Sequence, residues 1–178
     1  KQISDRFEVK FRGRLGPDAQ DNKSIRILNR IVEWTEEGIR YEADQRHAEI
    51  IVRELGLEDS KGVGTPGGDE KNQDAEEEEA QELNREGATR FRALTARGIY
   101  MSQDRSDIQY AVKELSRSMS KPTEADLRKL KRLGRYLKGC NRTIIKYDYQ
   151  DKYHRIEVWT DTDYAGCKKP GSPRVEAL

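Results

Sequence analysis

The sequence predicts an α+β fold, on three observations. The first forty residues alternate apolar and polar side chains with a period of two, as half-buried strands do. The middle of the chain carries apolar residues at helical spacing, and the period of two returns near residue 142. A glycine-rich, acidic stretch separates the first two regions, with too little apolar surface to offset the entropy of ordering it. The expected order is an N-terminal β-hairpin plus helix (1–57), an acidic linker (58–87), a helical section (88–140) and a C-terminal β-hairpin with an irregular tail (141–178).

Each element has its own local reason. Phe7, Val9 and Phe11 alternate with Glu8, Lys10 and Arg12, which predicts a strand ended by Gly13, Gly16 and Pro17. Residues 18–23 form a polar loop. Ile25, Ile27, Ile31 and Trp34 lead to the turn Thr35-Glu36-Glu37-Gly38, and residues 39–42 resume as the second strand of a hairpin closed through Gly38. Asp44 is placed to cap a helix in which His47, Ile50, Ile51 and Leu55 share one side and which Gly56 ends. The linker begins with Gly62, Gly64, Pro66, Gly67 and Gly68 and continues into the acidic run 76–79, and it is expected to be mobile.

Three helices are expected from about residue 88 to 139. Phe91, Leu94, Ile99 and Met101 supply the apolar side of the first. The second starts at Asp104 to Ser106 and carries Ile108, Ala111, Val112 and Leu115 on one face. Pro122 and Thr123 open the third: Thr123 suits an N-cap, Asp126 can return the bond at the third helical position, and Gly139 ends the helix. Residues 142–149 and 155–161 read as two strands around the turn Gln150-Asp151-Lys152, and residues 168–178 show no periodicity.

Composition narrows the function classes. Hydrophobic residues are 34% and charged residues 38% of the chain, so its core is thin for 178 residues. No run approaches the ~18 apolar residues of a membrane span. The N-terminus has no apolar signal segment, and no membrane partner is expected. Two cysteines, Cys140 and Cys167, are too few for a disulfide framework and read as reduced thiols of an intracellular protein, cytoplasmic or nuclear. Opening on Lys1 rather than Met suggests a processed product or a fragment. The net charge of +1 conceals two blocks: eleven acids against three bases in 57–87, and nine bases against two acids in 121–146. Separated blocks of this kind point to charge-directed binding.

Two candidates for chemistry stand out. In the third helix Leu127, Leu130, Leu133 and Leu137 form an apolar stripe, and Arg128, Lys129, Lys131, Arg132, Arg135 and Lys138 fill most of the remainder. Such a face suits a phosphate backbone; equally it suits solvent or the acidic linker. No base-reading pattern is present, so nucleic-acid contacts would be to the backbone. The second candidate is the stretch from Trp159 to Gly166, where Asp161 and Asp163 stand at a strand end. A carboxylate there is a ligand type for Mg²⁺, but two-metal hydrolysis needs several, and Asp-x-Asp alone reads as a strand-end turn. A zinc site from Cys140, His154 and Cys167 lacks the usual close ligand pair. No P-loop, nucleophile elbow or dinucleotide fingerprint occurs.

The stretches Phe91-Arg92-Ala93-Leu94 and Ile99 to Val112, with Arg105-Ser106-Asp107 at their centre, resemble a pattern of the copia-type LTR retrotransposon Pol polyprotein. The block Leu130-Lys131-Arg132-Leu133-Gly134-Arg135-Tyr136-Leu137-Lys138-Gly139 is similar to that family's Leu-Lys-Arg-Ile-Leu-Arg-Tyr-Leu-Lys-Gly. Trp159 to Gly166 is similar to its Tyr-Ser-Asp-Ala-Asp-Trp-Ala-Gly. Upstream the likeness is looser, at Arg26 to Arg30 and Thr65-Pro66.

The resemblance implies the end of a reverse transcriptase palm in residues 1–57, a thumb or connection in 88–140, and the first strands of a truncated RNase H domain from 141. It implies an RNA–DNA hybrid or duplex as partner of the basic helix, together with the rest of the Pol polyprotein. Asp161 would be the first RNase H catalytic carboxylate, binding Mg²⁺ only if the site is completed. The polymerase Tyr-x-Asp-Asp motif and the remaining RNase H carboxylates are absent, so the isolated chain is expected to need no cofactor and to turn nothing over. The alternative expectation is a charge-driven, non-enzymatic interaction module derived from a retroelement.

Overall fold

A computed structural model describes residues 5–68, 81–150 and 158. Four strands form one antiparallel sheet in the order β1-β2-β3-β4: β1 Ser24–Ile27, β2 Arg30–Thr35, β3 Gly38–Glu42 and β4 Ile144–Asp148. The helices among the described residues are α1 Arg46–Glu54, α2 Arg85–Ser102, α3 Gln109–Arg117 and α4 Glu124–Gly139, with a 3-10 turn at Ser106–Ile108.

Residues 24–42 form a three-stranded meander rather than one hairpin. The additional turn is Leu28-Asn29, where both residues take positive φ, 49° and 64°. Two successive left-handed residues between paired strands are the signature of a type I′ hairpin turn, whose twist matches that of the strands. The second turn closes through Gly38 as expected, with Thr35 Oγ1 donating to the Gly38 carbonyl at 2.9 Å. Gly38 has φ 155°, and a Cβ there would run into the Tyr147 carbonyl oxygen, so this glycine also seats β4.

β4 lies where residues 142–149 predicted a strand, and its observed partner is β3, in register from Gly38↔Asp148 to Glu42↔Ile144. The partner expected for it, 155–161, lies outside the described residues. Side-chain pairs reinforce this junction. Arg142 donates to both oxygens of the nearly buried Glu42 carboxylate at 2.9 Å each, and Lys146 Nζ pairs with Glu37 at 2.7 Å. Hydrogen bonding from Arg142 holds the Glu42 carboxyl below its ordinary range.

One expected strand is absent. Residues 8–14 take no regular structure, and Phe7, Val9 and Phe11 are exposed. Among the described residues, this alternation pairs with no strand, and β1 is the edge of the sheet. An alternating run without a ladder partner leaves its backbone groups to water.

The core is helical. Ala48, Ile51 and Val52 of α1 meet Phe91, Leu94 and Met101 of α2, Val112 and Leu115 of α3, Ile108 of the 3-10 turn, and Leu130, Leu133 and Leu137 of α4. Glycines set the closest approaches. A Cβ on Gly98 would lie 3.2 Å from Val112 Cγ2, and one on Gly134 would lie 2.7 Å from Leu57 Cδ1. Helix α4 forms the capping box predicted for it: Thr123 Oγ1 accepts from the Asp126 amide at 3.3 Å, and Asp126 Oδ2 accepts from the Thr123 amide at 2.9 Å. Asp44 accepts from the Arg46 amide at 2.9 Å at the start of α1, and Gly56, at φ 65°, ends that helix. Helix α2 begins at Arg85, inside the span read as linker, because Asn84 Oδ1 accepts from the Gly87 amide at 2.8 Å and caps it.

The sheet joins the helices through a small polar cluster. Asp104, after α2, accepts from Arg30 Nε and Tyr41 Oη, both at 2.7 Å. The Arg30 guanidinium also lies 5.3 Å from the Tyr100 ring centre, and Tyr100 contacts the His47 ring.

Candidate nucleic-acid interface

The six basic side chains of α4 occupy the arc opposite the buried Leu130, Leu133 and Leu137. The structure divides them into two groups. Arg128, Lys129 and Lys131 belong to the N-terminal half of the helix, with Arg128 and Lys131 exposed and Lys129 half-buried. Arg132, Arg135 and Lys138, in the C-terminal half, reach into the chain that follows α1.

That chain, residues 57–68, is the described part of the predicted linker. It crosses α4 as a strap running against the helix direction. Arg132 Nε donates to the Gly67 carbonyl at 2.6 Å, and its terminal nitrogen donates to Thr65 Oγ1 at 2.8 Å. Arg135 Nε donates to the Lys61 carbonyl at 2.9 Å, and Lys138 Nζ to the Ser60 carbonyl at 2.5 Å. Gly62 permits the approach, since a Cβ there would lie 3.2 Å from Gly139 Cα. The first part of the linker is therefore docked, and the basic helix holds it by main-chain carbonyls rather than by the acidic side chains that composition brings to mind.

A second assembly fixes the C-terminal end of α4. Arg105 is 2% exposed, and its guanidinium grips Asp107 with two bonds, at 3.0 and 2.6 Å, while donating to the Cys140 carbonyl at 2.9 Å. Tyr136 Oη donates to the same Asp107 carboxylate at 2.9 Å. Burial alone would raise the Asp107 pKa; bonds from Arg105 and Tyr136 outweigh it and hold the carboxyl below its ordinary value. Burial and the Asp107 carboxylate push the Tyr136 phenol up to about 12. Ser106, in the stretch where the second helix was expected to start, is the first residue of the 3-10 turn, which has no side-chain cap and is flanked by the Arg105–Asp107 pair. Arg105 and Asp107 of one sequence block and Tyr136 of another thus form one contact that supports the basic helix. Composition gave no sign of it; only the short spacing of opposite charges at 105 and 107 hinted at a pair.

Asp161, the Mg²⁺ and RNase H candidate, lies outside the described residues, as do His154 and Cys167 of the zinc alternative. Among the described residues no cluster of three metal-ligand side chains occurs. Cys140 is a free, half-buried thiol. His47 packs on Tyr100, with ring centres 4.7 Å apart, and Nδ1 lies 3.3 Å from Arg97; burial lowers its pKa. This is a packed histidine at the helix–sheet junction. Among the described residues, no helix is long and apolar enough to cross a membrane.

Two curated relatives match the chain. An uncharacterized mitochondrial protein of Arabidopsis thaliana is 31% identical over 124 residues, which is 68% of this chain and 48% of that protein. The retrovirus-related Pol polyprotein from transposon RE1 of the same plant is 36% identical over 80 residues, 45% of this chain and 5% of the polyprotein. The matched span is thus about half of the first relative and a small part of the second. No family model and no solved structure matches the chain. The likeness read from the sequence blocks is borne out as a homology: over 80 residues the chain matches a copia-type retrotransposon Pol polyprotein.

Proposed function

We propose that this chain is the supporting, duplex-holding part of a reverse transcriptase/RNase H polyprotein, binding an RNA–DNA hybrid or other duplex through its phosphate backbone. The observation that carries the reading is the cationic arc of α4, opposite the buried Leu130, Leu133 and Leu137 and braced at its C-terminal end by Arg105 and Asp107. A rigid helix presenting several cations on one face suits a regular array of phosphates and reads no bases. The relationship to Pol polyproteins supports the same reading. In the whole polyprotein, Asp161 would contribute one carboxylate to an RNase H site whose Mg²⁺ supplies the hydrolytic chemistry. The isolated chain binds without polymerase or RNase H turnover.

The test is a titration of a fluorescently labelled RNA–DNA hybrid between 50 and 200 mM salt. Each phosphate contact contributes about −0.9 to the slope of log K against log salt, so the three cations of the N-terminal half give roughly −2.7 on a B-form duplex. Replacing Arg128→Glu and Lys131→Glu together should weaken binding about tenfold or more at 100 mM salt and flatten the slope. Binding that ignores both salt and this charge reversal refutes the interface. Robust Mg²⁺-dependent extension or cleavage by the isolated chain refutes its inactivity.

A further inference from the structure

The strap over α4 has features of a displaceable cover. None of its residues from 58 to 68 is buried, and it contains Gly62, Gly64, Gly67 and Gly68. At one end it is secured by packing of Leu57 against Gly134 and by the Leu57 amide, which donates to the Val52 carbonyl at 2.9 Å. Beyond Leu57, the hydrogen bonds that hold it on the helix among the described residues are those from Arg132, Arg135 and Lys138, beside the close approach of Gly62 to Gly139. All of these acceptors are neutral, three carbonyls and a hydroxyl. The donors in these bonds are already ionised; a phosphate oxygen offers the same three cations a charged acceptor as well, which adds Coulomb attraction that a carbonyl lacks. Release also returns backbone freedom to a glycine-rich segment, whose ordering is costly. A segment with little buried apolar contact lies at the low-stability end of a structure.

We propose that residues 57–68 are an autoinhibitory strap, which a duplex displaces to recruit Arg132, Arg135 and Lys138 as additional phosphate ligands. The inference rests on the duplex-binding reading and adds that half of the cationic arc is held in reserve. With the strap seated, backbone contact is confined to the N-terminal half of α4. With the strap lifted, the arc runs the length of the helix.

Gly62→Val tests this without altering any cation. The added Cβ would lie 3.2 Å from Gly139 Cα, a backbone atom that cannot swing aside, so the strap must give by a few tenths of an ångström and its seating on the helix is weakened. The variant should bind the hybrid about tenfold or more tightly at 100 mM salt, with a salt slope steeper by up to roughly 2.7. A second measurement leaves the strap's seating intact. Gly64 has open space where its Cβ would be, so a nitroxide on Gly64→Cys, with Cys140→Ser and Cys167→Ser, reports strap motion directly. Saturating hybrid should narrow its spectrum. If the wild type binds while a folded Gly62→Val shows the same affinity and slope, or the nitroxide spectrum does not change at saturation, the strap proposal fails and the interface stands. If the hybrid binds neither protein, both readings fall. Should Gly62→Val not fold, the nitroxide measurement decides.

Discussion

Replacing Arg105 with methionine isolates the contact that braces the basic helix. The side chain is 2% exposed and makes four hydrogen bonds of 3.5 Å or less: two to Asp107, one to the Cys140 carbonyl and a longer one to the Asn141 carbonyl. Methionine fills much of the same volume, so the loss is mainly electrostatic. Removing one member of a buried ion pair costs about 3–5 kcal/mol, because the partner charge stays desolvated. Asp107 retains 28% exposure and its bond from Tyr136, which brings the expectation to the lower end, about 3 kcal/mol. Urea unfolding followed by circular dichroism should show the midpoint falling by roughly 1–2 M with an unchanged slope. The double variant Arg105→Met with Asp107→Leu removes both charges and should recover to within about 1.5 kcal/mol of wild type, since a well-packed apolar pair can replace a buried ionic one. A single-variant loss below about 1 kcal/mol, or a double variant no more stable than the single one, refutes the argument.

Two further predictions concern the same helix. Thr123→Ala removes the capping box and should destabilise the chain by about 1–2 kcal/mol in the same urea titration, without changing the side chains of the cationic arc. The contact of Asp107 with Tyr136 makes stability fall at both ends of the pH scale. The Tyr136 phenol, raised to about 12 in the folded chain, ionises near pH 10 when unfolded, so its stabilisation is complete below about pH 10 and is lost towards pH 12. The depressed Asp107 carboxyl contributes above its unfolded value of about 3.9 and loses its contribution as pH falls through the lower folded value. Tyr136→Phe should flatten the alkaline limb and Asp107→Asn the acid limb, read as urea midpoints against pH.

Features encoded within a turn or two of chain were legible in the sequence. The α4 capping box is a four-residue signal, and Thr123 and Asp126 form it. The leucine stripe from Leu130 to Leu137 identified both the buried face and, by exclusion, the cationic arc. The misses have two causes: partners distant in the chain, and one local turn made without its usual residue. Phe7, Val9 and Phe11 have the alternation of a strand but no described strand to pair with. Leu28 and Asn29 make a left-handed turn without the glycine that normally announces one, so two strands read as a single stretch. Glycines between 62 and 68 signalled freedom, yet Gly62 serves to bring two backbones together. The cations of α4 were assigned correctly to one face, but sequence spacing carries no information that three of them meet carbonyls some 65 to 78 residues away.

The pairing of β3 with β4 has a kinetic consequence. Glu42 meets Ile144 across the ladder, so the four described helices lie within the loop that this pairing closes. Contacts so distant along a chain form slowly, because the entropy of loop closure must be met before the ladder returns any energy. The meander β1-β2-β3 is local and forms early; β4 is added after the helices have drawn residue 144 back to residue 42. Until then β3 presents a bare edge of backbone donors and acceptors, a template for another copy of the same strand. Once in place, Arg142 on Glu42 and Lys146 on Glu37 hold that edge closed. A chain shortened before Ile144 would keep its helical core and acquire a lasting tendency to aggregate through β3.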